Sequence, residues 1–482
     1  MRSRTCSSAP DTRIFRRHDP ALTRTALTPT LVALLLFLAL QLGIGMYISK
    51  RISTEADYLV GGRQLGYVLA TFSIFATWFG AETVIGSSAA IYGDGITLAS
   101  AEPFGYGLCL ILMGAFLAKP LWDRGLTTLA DLFRMRFGTG VERLAAVLLI
   151  PSSVLWAAAQ VRAFGQVIAS ASTIEVDLAI ALAAFFTVGY TAYGGLLADA
   201  VTDVLQGIIL AGSLLAILIA VIMKVGGPAE AMHLLVTTDK IDLTPAAAGP
   251  WLETLEAWAI PVCGSLAATE VISRVIATRS RTVAQRSSFM AGGLYIAVGS
   301  IPVVIALLGS HLVGTLADPE QLIPTIARDH LPTIFFAIFA GGLVSAILST
   351  VDSTLLVASG LLSHNLIVPI ARITDEAMKV RVARFGVIGF GLLAYALALN
   401  AEGVFALVEQ ASAFGSAGLL VTVLFALFTP WGSARTASLT LVGGIVVYVG
   451  ASAAGLTTPF LASLGASLLL WGIGCAMDSA AS

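Results

Sequence analysis

The chain has 482 residues, 57% of them hydrophobic and 12% charged, with a mean hydropathy of +0.90. Soluble domains carry about 25% charged residues, so a soluble enzyme or binding domain is excluded and the chain reads as a polytopic membrane protein. The net charge of −2 gives no overall pull toward nucleic acid, and the scattered cysteines (Cys6, Cys109, Cys263, Cys475) and five histidines lack metal-ligand spacing.

Taking roughly 20 apolar residues per crossing, thirteen spans follow in chain order: 29–49, 67–91, 97–119, 141–170, 176–194, 196–224, 252–277, 288–314, 333–363, 382–400, 404–428, 436–454 and 459–477. No soluble domain is left over. If the first span runs from outside to inside, the inner connections hold 17 basic residues: Lys50, Arg51, Arg63, Lys119, Arg124, Arg134, Arg136, Arg143, Arg274, Arg279, Arg281, Arg286, Arg372, Lys379, Arg381, Arg384 and Arg435. The outer connections hold three, Lys224, Lys240 and Arg328. The positive-inside rule then places the N-terminus outside and the C-terminus in the cytoplasm of a cell (inner) membrane.

The tail at 1–28 conflicts with that assignment, because its six arginines fall on the outer side. It has no small-residue cleavage site, and a 21-residue apolar run follows it, against a cleaved signal peptide. The expectation is a start codon assigned too far upstream.

Two spans are interrupted. The span at 67–91 carries Gly80, Gly86 and the polar pair Glu82 and Thr83 near its middle, and that at 252–277 carries Pro261 and Gly264 at a similar depth. Ordinary kinks are one reading. Broken helices in corresponding positions of two halves are the other, and they point to an inverted-repeat transporter with a midplane site.

The run "SAILSTVDSTLLVASG" at 345–360 is apolar enough to cross a membrane yet polar along one face. Ser345, Ser349 and Ser353 repeat every four residues, Ala346, Thr350 and Thr354 form the next row, and Asp352 lies three residues beyond Ser349. Each hydroxyl alone is explained by back-bonding to the preceding turn. A whole stripe with a carboxylate suits a small hard cation held by oxygen, and neutral donors favour sodium over calcium.

"SAILSTVDSTLL" resembles the signature of the sodium/solute symporter family, the group of the sodium/galactose and sodium/proline transporters. "YLVGGRQLG", "FGAETVIGSSAAIYGDGI", "GLTTLADLFRMRFG" and "YGGLLADAVTDVLQG" are similar to its other landmarks, in the expected order. The resemblance implies an all-α, LeuT-like 5+5 inverted-repeat core: an extra helix at 29–49, a first repeat at 67–224, a second at 252–428, and two further helices at 436–477. It implies sodium held by the carbonyls of Ala76, Phe79 and Ala346 and the hydroxyls of Ser349 and Thr350. Asp203 would lie on the ion's cytoplasmic path, although a carboxylate favoured by a helix N-terminus explains it equally. Ser345 and Ser353 become candidates for a second sodium, and Asp352 a member of the surrounding network.

The resemblance also places solute beside the breaks, near Thr77, Trp78, Gly80, Glu82, Thr83, Trp258 and Cys263. Trp78 is either a gate or packing. Arg162, in the outer half of its span, either holds a carboxylate-bearing solute such as an amino acid, monocarboxylate or sugar acid, or forms a structural tie. The function expected is sodium-coupled symport of a small organic solute into the cell by alternating access. Sodium is the coupling ion and no cofactor is required; the partners are solute, sodium and the lipid bilayer, without nucleic acid, and the oligomeric state is left open. One charge crossing about 100 mV yields roughly 2.3 kcal/mol and a tenfold gradient about 1.4, together enough for a solute gradient on the order of 500-fold. A proton-coupled permease titrating Asp203, Asp352 or Glu82, or a transporter-like sensor, is the alternative; no Ser/His/Asp set or GxSxG motif supports an enzyme.

Overall fold

The computed structural model describes residues 29–50, 52–171, 174–316, 318–401 and 404–481; the expectation for the tail at 1–28 lies outside them. Among the described residues the chain is helical, and ten helices are long and apolar enough to cross a membrane. The helix Val176–Lys224 accounts for two predicted spans. Its 49 residues rise about 74 Å, more than twice the hydrocarbon thickness of about 30 Å. Gly195, at φ 64° and ψ 175°, turns the chain between the two crossings, a left-handed conformation that favours glycine. The helices Pro29–Ser49 and Tyr67–Ala76 fall outside the ten, so the count of thirteen is not reproduced as thirteen unbroken helices.

Both predicted interruptions are present, the first at Gly80 and the second a few residues beyond Pro261 and Gly264. The first broken helix runs Tyr67–Ala76, opens at 77–80, and resumes through a π-helical turn Glu82–Gly86 into Ser87–Asp94. The second runs Trp251–Ala259, continues through the π-helical turn Ile260–Gly264, and breaks at Ala267 and Ala268 before Thr269–Ile276. Pro261 is thus absorbed by a wider turn, which accommodates the residue that cannot donate to the helix, and the chain opens later. The halves are tied at one end, where Leu65 N–H donates to Ala277 O at 3.2 Å and Arg279 N–H to Leu65 O at 3.0 Å.

The serine-rich helix Thr333–Gly360 packs against Val176–Lys224 and against Thr139–Ala171. In lipid there is little hydrophobic drive for such association, so close approach of small side chains carries it. Gly342 illustrates this: a Cβ there would lie 3.1 Å from Ile209 Cγ2 and 3.4 Å from the Leu210 backbone. On the other side of the molecule, Arg281–Gly309 packs against Phe104–Leu112 and Tyr67–Ala76, while Ala434–Ala453 and Pro459–Ala481 pair with each other.

At the end where Leu65 meets Ala277, short connections are cross-linked by charge. Asp131 accepts from the N–H groups of Thr127 (2.8 Å) and Thr128 (3.0 Å) and from Asn365 Nδ2 (3.2 Å), and pairs with Arg134 (3.2 Å) and His364 (3.3 Å). Burial alone would raise its carboxyl; the bonds from His364 and the two backbone N–H groups outweigh this and hold it below its ordinary value of 3.8. His364 also meets Glu55 at 3.0 Å.

Candidate functional site

The break at 77–80 frees backbone oxygen. Gly80 N–H, which a continuous helix would direct to Ala76 O, bonds Trp78 O at 3.0 Å instead. The hydroxyl of Thr350 reaches toward the released Ala76 carbonyl at 3.5 Å and donates to Ala346 O at 3.3 Å. Ala76, Phe79, Ala346, Ser349 and Thr350 are all buried. The structure therefore brings the serine-rich helix against the break, with the row Ala346 and Thr350 turned to it.

Behind this row lies an acidic strip. Ser349 donates to Asp203, Thr191 to Asp352, and Arg274 to both Asp199 and Ser353. Ser353 also donates to Ser349 O at 2.8 Å and Asp199 at 3.2 Å. Ser345 accepts from Gln41, which in turn accepts from Gln206 at 3.0 Å. Asp199 and Asp203 are four residues apart on one helix face, and one oxygen on each of Asp199, Asp203 and Asp352 has no partner. Arg274, fully buried, is the cation that faces them.

On the other side of the break, a cleft of about 300 Å³ opens between the 94–102 connection and the second broken helix. Glu82, Asp94 and Glu102 line it with Ser87, Tyr106 and Pro261, and no basic residue is among the lining side chains. Both carboxylate oxygens of Glu82 are buried without a partner. Glu102 accepts from Thr83 at 2.9 Å; Thr83 lies 2.6 Å from the Tyr295 hydroxyl, which donates to Trp78 O at 3.3 Å. Beneath the cleft is an aromatic layer: Trp78 lies 5.3 Å from Tyr106 and 6.2 Å from Trp156, centroid to centroid, and Tyr106 lies 6.1 Å from Tyr295.

Of the eight residues expected at the solute, Glu82 lines this cleft; Trp78 packs behind Tyr106, outside the lining, and Thr83 connects to it through Glu102. Thr77 bonds back to Ser73 O at 2.6 Å, and Gly80 sits on the side of the break that faces the serine-rich helix, beside Thr350. Trp258 braces the rim by donating to Leu98 O at 2.8 Å. Cys263 packs beside the cleft, against Ala259 and Phe460. Arg162 donates to Ala398 O at 2.9 Å, the structural tie of the two readings, and is not among the lining residues.

Sequence reasoning missed Glu102, Tyr106, Trp156, Gln160 and Tyr295, and treated Arg274 as a loop charge. The pairing of Asp199 with Asp203 at helical spacing was visible; that Arg274 answers it was not, because their contact spans 75 residues of chain.

The profile of the sodium:solute symporter family matches residues 58–446. The chain belongs to the sodium:solute symporter family. It is 30% identical over 414 residues to the high affinity choline transporter 1 of Homo sapiens, covering 78% of this chain and 69% of that one. It is 24% identical over 356 residues to the sodium/pantothenate symporter of Escherichia coli (strain K12), covering 70% and 72%. A solved structure described as the substrate-bound outward-open state of a Na+-coupled sialic acid symporter superposes with a TM-score of 0.80 at 19% identity, over 93% of this chain and 96% of that one, which shows a shared fold. The protein is thus a multi-pass membrane transporter of a sodium-coupled family, not an enzyme, and its relatives' names carry different solutes.

Proposed function

We propose that this symporter imports a compact organic cation, an ammonium compound such as choline, driven by sodium. The observation that carries the reading is the cleft: three carboxylates, no basic side chain on its lining, and the ring of Tyr106 on it, backed by Trp78 and Trp156. Ring faces attract cations, and desolvation strengthens that attraction. An unpartnered pair of carboxylate oxygens on Glu82 is costly at membrane depth until a cation arrives. The choline transporter relative supports the same class. A carboxylate-bearing solute is disfavoured, since Arg162 is not on the cleft's lining and the carboxylates there would repel it.

Sodium would be held by the carbonyls of Ala76, Phe79 and Ala346 with the hydroxyls of Ser349 and Thr350, and the nearness of Thr350 to Ala76 O supports this. Asp203, bonded to Ser349, would draw the ion toward the cytoplasm or accept it there. Ser345, Asp352 and Ser353 with the acidic strip form the candidate second cation position. The breaks at 77–80 and 267–268 support inverted repeats at 67–224 and 252–428, working by alternating access in a cell membrane with the N-terminus outside and the C-terminus inside.

Counterflow in proteoliposomes loaded with choline, pantothenate, proline or sialic acid, with and without sodium, tests this. Sodium-dependent exchange of choline is expected. Exchange of a carboxylate solute but not choline would overturn the solute class, and exchange driven by protons without sodium would overturn the coupling.

A further inference from the structure

Gln160 stands on Thr139–Ala171, the helix that the serine-rich helix packs against. Its side chain is fully buried and neither atom of its amide has a partner. Buried polar groups are almost always satisfied, so an orphaned amide calls for an absent partner. Its position says which one. The point where a Cβ on Gly80 would sit lies 3.3 Å from Gln160 Oε1, 3.3 Å from Thr350 Oγ1 and 3.8 Å from Ala346 O. Three oxygens from two helices thus converge on a gap beside the break, and only a glycine at position 80 leaves that gap open.

We infer that Gln160 turns its amide oxygen to the sodium ion, so that the ion ties the Thr139–Ala171 helix to the break and to the serine-rich helix. This rests on the sodium position proposed above and adds to it a ligand from a third element. An amide oxygen is a neutral hard donor of the kind alkali and alkaline-earth ions accept. The added contact gives sodium a grip on a helix that contributes nothing else to the position, so ion binding would fix the broken helix against a wall that the carbonyls and hydroxyls alone do not reach.

The test is a sodium titration of the thermal stability of the full-length protein, with no solute present, on wild type, Gln160→Met, Gln160→Glu and Ser349→Ala. Met keeps the length of the side chain and removes the donor; Glu keeps the shape and adds charge. The inference expects Gln160→Met to raise the sodium midpoint about tenfold, and Gln160→Glu to lower it and make it depend on pH. A Gln160→Met midpoint within about twofold of wild type, with Ser349→Ala displaced, overturns the inference and leaves the sodium position standing. If both midpoints stay at the wild-type value, the sodium position itself fails and the inference with it. Should Gln160→Met not fold, an unmoved midpoint in Gln160→Glu decides against the inference.

Discussion

Ser349 and Asp203 face each other across two packed helices, the hydroxyl donating to the carboxylate, and both side chains are fully buried. That bond fixes the direction of the Ser349 proton and leaves the lone pairs of its oxygen pointing away from Asp203, where a cation can use them. Ser349→Ala and Thr350→Ala are each expected to raise the sodium concentration for half-maximal choline uptake about tenfold, the cost of one charge-assisted contact. Asp203→Asn is expected to shift it in the same direction. Sodium dependence unchanged in all three variants, measured in proteoliposomes, would remove the assigned position.

The carboxylates of the cleft are expected to set solute affinity. Glu82→Gln should raise the choline concentration for half-maximal uptake by about tenfold or more, while the sodium midpoint measured without solute stays near wild type. Tyr106→Ala should act in the same direction by removing the aromatic ring on the cleft's lining. Uptake kinetics indistinguishable from wild type in both variants would count against the cleft as the binding place.

Arg162 offers the converse. Its guanidinium is bonded to Ala398 O, so Arg162→Ala should lower the melting temperature, by an amount equivalent to about 1–3 kcal/mol for a bond to a charged donor, and leave the choline midpoint unmoved. Abolished uptake with intact sodium-dependent stabilisation would restore the carboxylate-binding role.

Arg274 neutralises Asp199 in the interior of the helix bundle. Removing one member of a buried pair leaves an uncompensated charge, at about 3–5 kcal/mol. Arg274→Met is therefore expected to express poorly, and the double variant Arg274→Met with Asp199→Asn to recover most of the lost stability. Equal stability of the single and double variants in thermal melts would mean that the two charges are not coupled.

At the charged connections, Asp131 is held below its ordinary carboxyl value. A depressed folded value means that the ionised form stabilises the fold at pH above about 4, the ordinary carboxyl range, and that this contribution disappears as pH falls through the folded value. Asp131→Asn should lower the melting temperature near neutral pH, and the difference from wild type should shrink as the pH falls through the depressed folded value. A difference independent of pH would assign the loss to packing instead of charge.

The spans and the polar face of the serine-rich helix were legible because both rest on local periodicity, which the chain shows without its fold. The first interruption was legible at Gly80, inside the opening at 77–80; Gly86 and Pro261 mark places where the chain widens into π turns, and the second opening, at 267–268, carries no glycine or proline to announce it. Glu102 lies in a connection, and nothing in its neighbours says that Thr83 will meet it. Tyr106 and Trp156 read as packing aromatics until they are seen in mutual contact with Trp78. In the sequence Gln160 is one polar residue two places before Arg162; its significance is an absence of partners, which no sequence displays.

The three carboxylates on the lining of the cleft have a consequence for how the proposed cation transport performs in different media. Their field extends about 10 Å at 0.1 M salt and about 3 Å at 1 M, and within that reach it accumulates positively charged solutes and quickens their capture. Under the proposed coupling sodium would work against itself, powering each cycle while shielding the carboxylates of the cleft. Scarce solute should be harvested best at an intermediate salinity, with a falling capture rate in brine even though the driving force there is larger.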